Sequence, residues 1–166
     1  MKKTVKKNLL SYFYIFSLGI LSSFSLPPYN FFLINFFTFS ALFIFFVKQK
    51  FSLSKKEFFL NGWIFGFGYF MSGLYWITIS LTFDQEFEIL IPIAFLLIPL
   101  FLGIFYGIAT YFFYYFKKFS NISLVLTFSG LISIFEYLRG NILSGFPWNL
   151  ISFSFQTFRI CCKHFH

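Results

Sequence analysis

The sequence predicts an all-α membrane protein, a polytopic bundle of about five transmembrane helices. Two observations carry this prediction. Five long runs are apolar, in a 166-residue chain that is 58% hydrophobic and 11% charged, with mean hydropathy +0.79. Lysine clusters punctuate those runs on alternate sides only. Lys2, Lys3, Lys6 and Lys7 precede the first run; Lys48, Lys50, Lys55 and Lys56 follow the second; Lys117 and Lys118 follow the fourth. The connections at 26–29 and 83–88 hold neither lysine nor arginine. Positive charge retained on one face is the signature of a chain threaded back and forth through a bilayer.

A helix needs about 20 apolar residues to cross the hydrocarbon. The runs at 9–26, 29–47, 58–81, 89–116 and 119–138 meet that length, and none carries a central lysine or arginine. They are continuous rather than alternating, which disfavours a barrel. Helices close their own backbone hydrogen bonds, as lipid requires. The expected organisation is one transmembrane helical domain over 1–155 and a divergent C-terminal tail over 156–166.

The first run has a basic start, an apolar stretch and Ser23–Ser25, as a signal peptide does, but no Ala-type small-x-small cleavage pattern. It is read as a retained helix, joined through Leu26-Pro27-Pro28-Tyr29 to the second run as a helical hairpin. In the third run Gly62, Gly66, Tyr69, Gly73 and Trp76 share one stripe at 3.6 residues per turn. Glycines so placed admit another helix, or a lipid chain, close to the backbone, and helix packing is the favoured reading. Tyr75 and Trp76 suit an aromatic interface belt. The fourth run carries Pro92 and Pro99 and the pair Gly103 and Gly107. It is longer than the bilayer requires, so it is expected to tilt, kink or begin late.

The fifth run holds Glu136, the only acidic residue inside an expected span, with Arg139 three residues later. That spacing pairs them on one helix face. An ionisable group at membrane depth marks a functional site by default; the alternative is an ion pair at the outer headgroup level. Ser144-Gly145-Phe146-Pro147-Trp148-Asn149 follows. It reads as an interface-anchored turn, or as the wall of an external active site. The lysine pattern places the N-terminus in the cytoplasm, with Pro27–Pro28, Asp84, Glu86, Glu88 and 139–149 outside.

The net charge of +8 does not indicate nucleic acid, because ten of the thirteen basic residues flank the runs instead of forming a stripe on a soluble face. Anionic lipid headgroups are the expected partners. The 33 phenylalanines fit an AT-rich codon usage, not a cofactor box. Cys161 and Cys162 are adjacent and form no disulfide framework. With His164 and His166 they fit no metal-ligand spacing. No Gly-rich phosphate loop, His-Glu-x-x-His or Gly-x-Ser-x-Gly occurs, so neither metal nor cofactor is expected.

Over residues 10–155 the order of motifs resembles a known family. Gly19…Leu26-Pro27-Pro28 comes first. Gly62-Trp63…Gly66-Phe67-Gly68-Tyr69-Phe70…Gly73-Leu74-Tyr75-Trp76 follows. Glu136-Tyr137-Leu138-Arg139…Gly145-Phe146-Pro147-Trp148-Asn149 is last. In this order and spacing they are similar to the membrane half of bacterial apolipoprotein N-acyltransferases. The resemblance implies an inner-membrane enzyme that moves an acyl chain from a phospholipid to the N-terminal cysteine amine of a diacylglyceryl lipoprotein. A cysteine thioester on a nitrilase-like domain with a Glu–Lys–Cys triad carries the acyl group.

The membrane helices are then a scaffold with a side opening for both lipids. Tyr75, Trp76, Glu136, Arg139, Phe146, Pro147 and Trp148 are the candidates for lining that opening. No residue here matches the triad, and Cys161 lacks the acidic neighbour of the family's nucleophile. The expectation is an incomplete or truncated copy without acyl transfer of its own. Two other classes stand beside this one: a small transporter or channel subunit, which would need polar residues along a midplane path, and a structural membrane subunit packed through its glycines.

Overall fold

A computed structural model describes residues 2–75 and 91–142, with side chains from Leu9 onward. Trp76, the acidic 83–88 connection, the Phe146–Trp148 turn and the cysteine- and histidine-bearing tail lie outside the described residues. The described chain is all-helical. It contains α1 (Lys2–Ser23), α2 (Leu33–Gln49), α3 (Lys55–Gly73), α4 (Ile91–Phe113) with a 3-10 turn at Tyr114–Phe116, and α5 (Asn121–Ile142). Among the described residues, two helices are long and apolar enough to cross a membrane, Ile91–Phe116 and Asn121–Ile142. Leu9–Ser23 and Leu33–Gln49 are shorter apolar helices.

The ends differ from the sequence expectation for local reasons. α1 stops at Ser23, where the Ser23 hydroxyl donates to the Ile20 carbonyl at 2.8 Å. The chain then turns through a cis Pro27–Pro28 bond and a left-handed Asn30 (φ 57°) before α2 starts. Asparagine tolerates that conformation better than most residues. α3 begins three residues early because Ser54 and Glu57 form a capping box. The Glu57 carboxylate accepts from the Ser54 backbone N–H at 2.7 Å, and the Glu57 N–H reaches the Ser54 hydroxyl at 3.4 Å. This places Lys55 and Lys56 inside the first turn. Pro99 sits within α4.

α3 is the central element, packed along both α1 and α4. Side chains that meet across the seams fix the directions. Lys55 at the start of α3 reaches Tyr115 beyond the end of α4, and Ser72 near the end of α3 donates to Ser23 at the end of α1 at 2.6 Å. One end of the molecule therefore gathers Lys55, Lys117 and the tyrosines after α4. The core is phenylalanine-rich: Phe46, Phe58, Phe65, Phe70 and Phe113 are fully or almost fully buried. Outward positions are equally apolar. Leu9, Phe13, Phe37, Ile122 and Leu126 are all more than 60% exposed, at 69%, 69%, 75%, 78% and 67%.

Candidate functional site

Backbone proximity sets up the site. On one face of α3, a Cβ added at Gly62 would fall on the Thr110 side chain, and one at Gly66 would lie 2.9 Å from Gly103 Cα. On another face, a Cβ at Gly68 would lie 2.6 Å from the Phe16 carbonyl oxygen, and one at Gly19 would strike the Phe65 carbonyl. Small residues let helix axes approach this closely. The helix-packing reading of Gly62 and Gly66 is what the structure displays. The Thr110 hydroxyl donates to the Phe58 carbonyl at 2.8 Å, and Trp63 Nε1 donates to the Leu100 carbonyl at 2.9 Å, both across the α3–α4 seam.

This approach projects Tyr106 of α4 among the side chains of three other helices. Its ring lies 5.5 Å from Phe65, 6.1 Å from Tyr69, 5.9 Å from Phe70 and 6.4 Å from Phe39. Its hydroxyl donates to Glu136 Oε1 at 2.9 Å, and Arg139 Nη2 donates to the same oxygen at 3.0 Å. Arg139 is 1% exposed and Glu136 12%. The guanidinium lies over the Phe70 ring, 4.7 Å from its centroid. A planar cation on an aromatic face, paired with a carboxylate and enclosed by protein, is a desolvated ion pair. The i, i+3 pairing expected from sequence is present.

A groove of about 530 Å³ runs beside this cluster between α2 and α5. Phe36, Phe39, Phe43, Phe128 and Ile132 supply its apolar walls, and Asn35, Ser40, Ser129 and Ser133 supply polar points. Phe39 touches both the groove and Tyr106, while Ile132 lies one helical turn before Glu136. The groove thus borders a residue that packs on the Tyr106 ring of the ion-pair cluster. At its edge the buried Ser22 hydroxyl donates to Asn35 Oδ1 at 2.6 Å, fastening α1 to α2.

The sequence model of the apolipoprotein N-acyltransferase N-terminal domain matches residues 18–161. The chain belongs to the apolipoprotein N-acyltransferase family. An apolipoprotein N-acyltransferase of Rhizobium leguminosarum bv. trifolii is 31% identical over 156 residues, covering 89% of this chain and 29% of that protein. The Rickettsia prowazekii protein of the same name is 38% identical over 141 residues, 84% of this chain and 27% of that protein. That of Brucella melitensis is 40% identical over 94 residues, 56% of this chain and 18% of that protein. The chain spans under a third of the length of these curated relatives.

Within this apolipoprotein N-acyltransferase segment, the structure brings together two of the seven residues singled out from sequence, Glu136 and Arg139. Tyr75 is 44% exposed, just past the end of α3. Trp76, Phe146, Pro147 and Trp148 lie outside the described residues. Sequence reasoning missed Tyr106 and Phe70. A signal for Tyr106 was present: it sits between Gly103 and Gly107, so a hydroxyl lies within a small-residue face where only a partner can satisfy it. Among the described residues no His/Cys/Asp/Glu group could hold a metal ion.

Proposed function

We propose that this chain is the membrane portion of an apolipoprotein N-acyltransferase. The complete protein would transfer an acyl chain from a phospholipid to the N-terminal cysteine amine of a diacylglyceryl lipoprotein, through a thioester intermediate. Residues 1–155 act as the transmembrane helical domain in the bacterial inner membrane, with the N-terminus cytoplasmic. Their part is to hold the lipids, and no residue of this chain is assigned as the nucleophile. The observation that carries the reading is the family match across residues 18–161.

Three further features support it. Large apolar side chains cover the outward faces of α1, α2 and α5, which water would penalise and lipid would not. The described side-chain charges cluster at helix ends except for the enclosed Glu136–Arg139 pair. The α2–α5 groove offers an apolar lane bordered by Phe39, which packs on the Tyr106 ring of that cluster. Tyr75, Trp76, Phe146, Pro147 and Trp148 are proposed to line the outer opening. Glu136 and Arg139 are proposed to fix its inner wall through Tyr106 and Phe70.

The test uses a full-length family member carrying this segment, in cells depleted of their own enzyme, with lipoprotein N-acylation read by mass spectrometry. Trp148→Ala and Glu136→Ala are expected to lower N-acylation per molecule of protein present. Full N-acylation in both would reduce these residues to structural ones. Labelling of a cysteine placed at position 148 in intact cells tests orientation: reaction with an impermeant reagent from outside is expected, and protection until lysis would reverse the topology.

A further inference from the structure

The end of the molecule that gathers the lysines carries a second groove, whose lining shares no residue with the first. It has a volume of about 680 Å³ and lies between the start of α3 and the end of α4, lined by Lys56, Phe59, Leu60, Ile108, Tyr111 and Phe112. Gly107 lies against the Phe59 ring of that lining. A Cβ there would sit 2.9 Å from the Phe59 ring, so the bare backbone lets that ring lie flat in the seam. Lys56 is the one charged residue of this lining.

The same end of the molecule holds two lysines against aromatic rings. Lys55 Nζ donates to the Tyr115 hydroxyl at 3.2 Å and lies 4.6 Å from the centre of the Tyr115 ring. Lys117 Nζ lies 3.8 Å above the Tyr114 ring. The Tyr111 hydroxyl, which borders the groove, is 3.3 Å from that of Tyr115. Aromatic faces position an ammonium without neutralising it. Each ammonium has three N–H donors. The nearby carboxylate, Glu57, is turned toward the Ser54 N–H at 2.7 Å and the Ser54 hydroxyl at 2.8 Å.

We propose that this groove binds one anionic phospholipid, with an acyl chain between Phe59, Leu60, Ile108 and Phe112 and the phosphodiester on Lys55, Lys56 and Lys117. Charge complementarity selects this occupant. An apolar lane topped by prearranged cations matches an amphiphile with one negative head, whereas a helix or peptide would leave the lysines uncompensated. The inference rests on the membrane reading above but not on acyl transfer, and the site is separate from the α2–α5 groove.

The full chain in detergent is titrated with phosphatidylglycerol, phosphatidylcholine and inorganic phosphate, and retained lipid is counted by native mass spectrometry. One phosphatidylglycerol is expected to remain bound per chain, in preference to phosphatidylcholine. The double variant Lys55→Gln, Lys56→Gln should weaken it roughly 25-fold, at about fivefold per lysine. Lys55→Arg with Lys56→Arg should retain binding, and Ile108→Trp, which fills the groove but leaves the charges, should weaken it. Equal retention of both lipids, or wild-type affinity in the glutamine variant, would make the contact nonspecific annular lipid and overturn the proposal. Displacement by inorganic phosphate with no effect of Ile108→Trp would make it a headgroup-only anion site and overturn it too. Loss of acyl transfer in a complete family member would leave this readout unchanged.

Discussion

α3 and α5 are helices of similar length, yet they are held in different ways. α3 meets α1 and α4 backbone to backbone, with Gly19, Gly62, Gly66, Gly68 and Gly103 removing the side chains that would keep the axes apart. α5 meets its neighbours through side chains. Phe128 packs on Phe43 at 5.5 Å and on Phe113 at 5.3 Å. Near its other end one polar cluster ties it to α4 and α3. Gly130 of α5 has nothing within 4 Å of its would-be Cβ. The α3–α4 seam is filled where Gly62, Gly66 and Gly103 lie and opens only toward its basic end, whereas the ring-on-ring contacts of α5 leave the α2–α5 groove beside them.

The comparison is broken most severely at the polar cluster, because α5 depends on it. Arg139→Ala leaves Glu136 enclosed with its main cationic partner gone. Removing one partner of a buried ion pair costs about 3–5 kcal/mol. Thermal unfolding in detergent should register that loss. Replacing Glu136 and Arg139 together by leucine removes both charges and should recover most of it. If the double variant is as unstable as the single one, the loss comes from the contacts of the pair itself and not from the charge left behind.

A second test sets the two glycine environments against each other. Gly66→Ala forces a Cβ to 2.9 Å from the Gly103 backbone, where no rotamer can relieve it, and overpacking of this kind costs about 1–3 kcal/mol. Gly130→Ala meets open space and gains helix propensity of about 1 kcal/mol. Opposite signs in the same unfolding assay are expected. Equal effects would mean that the α3–α4 contact is looser than its geometry.

Most of the helical plan was legible, because long apolar runs leave few options for the backbone. The helix starts and stops were less so. α3 begins at Lys55 through a Ser54–Glu57 cap, a local signal that lies inside a lysine cluster and was read there only as charge. Glu136 and Arg139 could be paired from their spacing alone. What sequence could not supply was the third member. Tyr106 is thirty residues away, and its position depends on how far Gly66 and Gly103 let two helices approach, a tertiary quantity. The same holds for Gly19 and Gly68: each is an isolated glycine until α1 and α3 are laid side by side.

The smallest effect lies at the basic end of the α3–α4 seam, where rings and one hydrogen bond replace glycines. The Lys55 ammonium donates to Tyr115 Oη at 3.2 Å. This bond favours the charged form, so the Lys55 pKa stands above its ordinary 10.5, with slight desolvation working the other way. A group whose pKa is raised on folding contributes stability that is complete below its unfolded pKa and is lost as pH rises through the folded one. The contribution should therefore be constant at neutral pH and disappear only above pH 10.5. Tyr115→Phe keeps the ring face under Lys55 and deletes the hydroxyl. The Lys55 pKa, followed by NMR of its Cε, should then fall back toward 10.5, with a small loss of stability at pH 7 that closes as pH rises above 10.5. An unchanged pKa would show that the aromatic faces alone position Lys55. The α3–α4 seam would then end at Thr110 and Phe58, with no polar fastening beyond it.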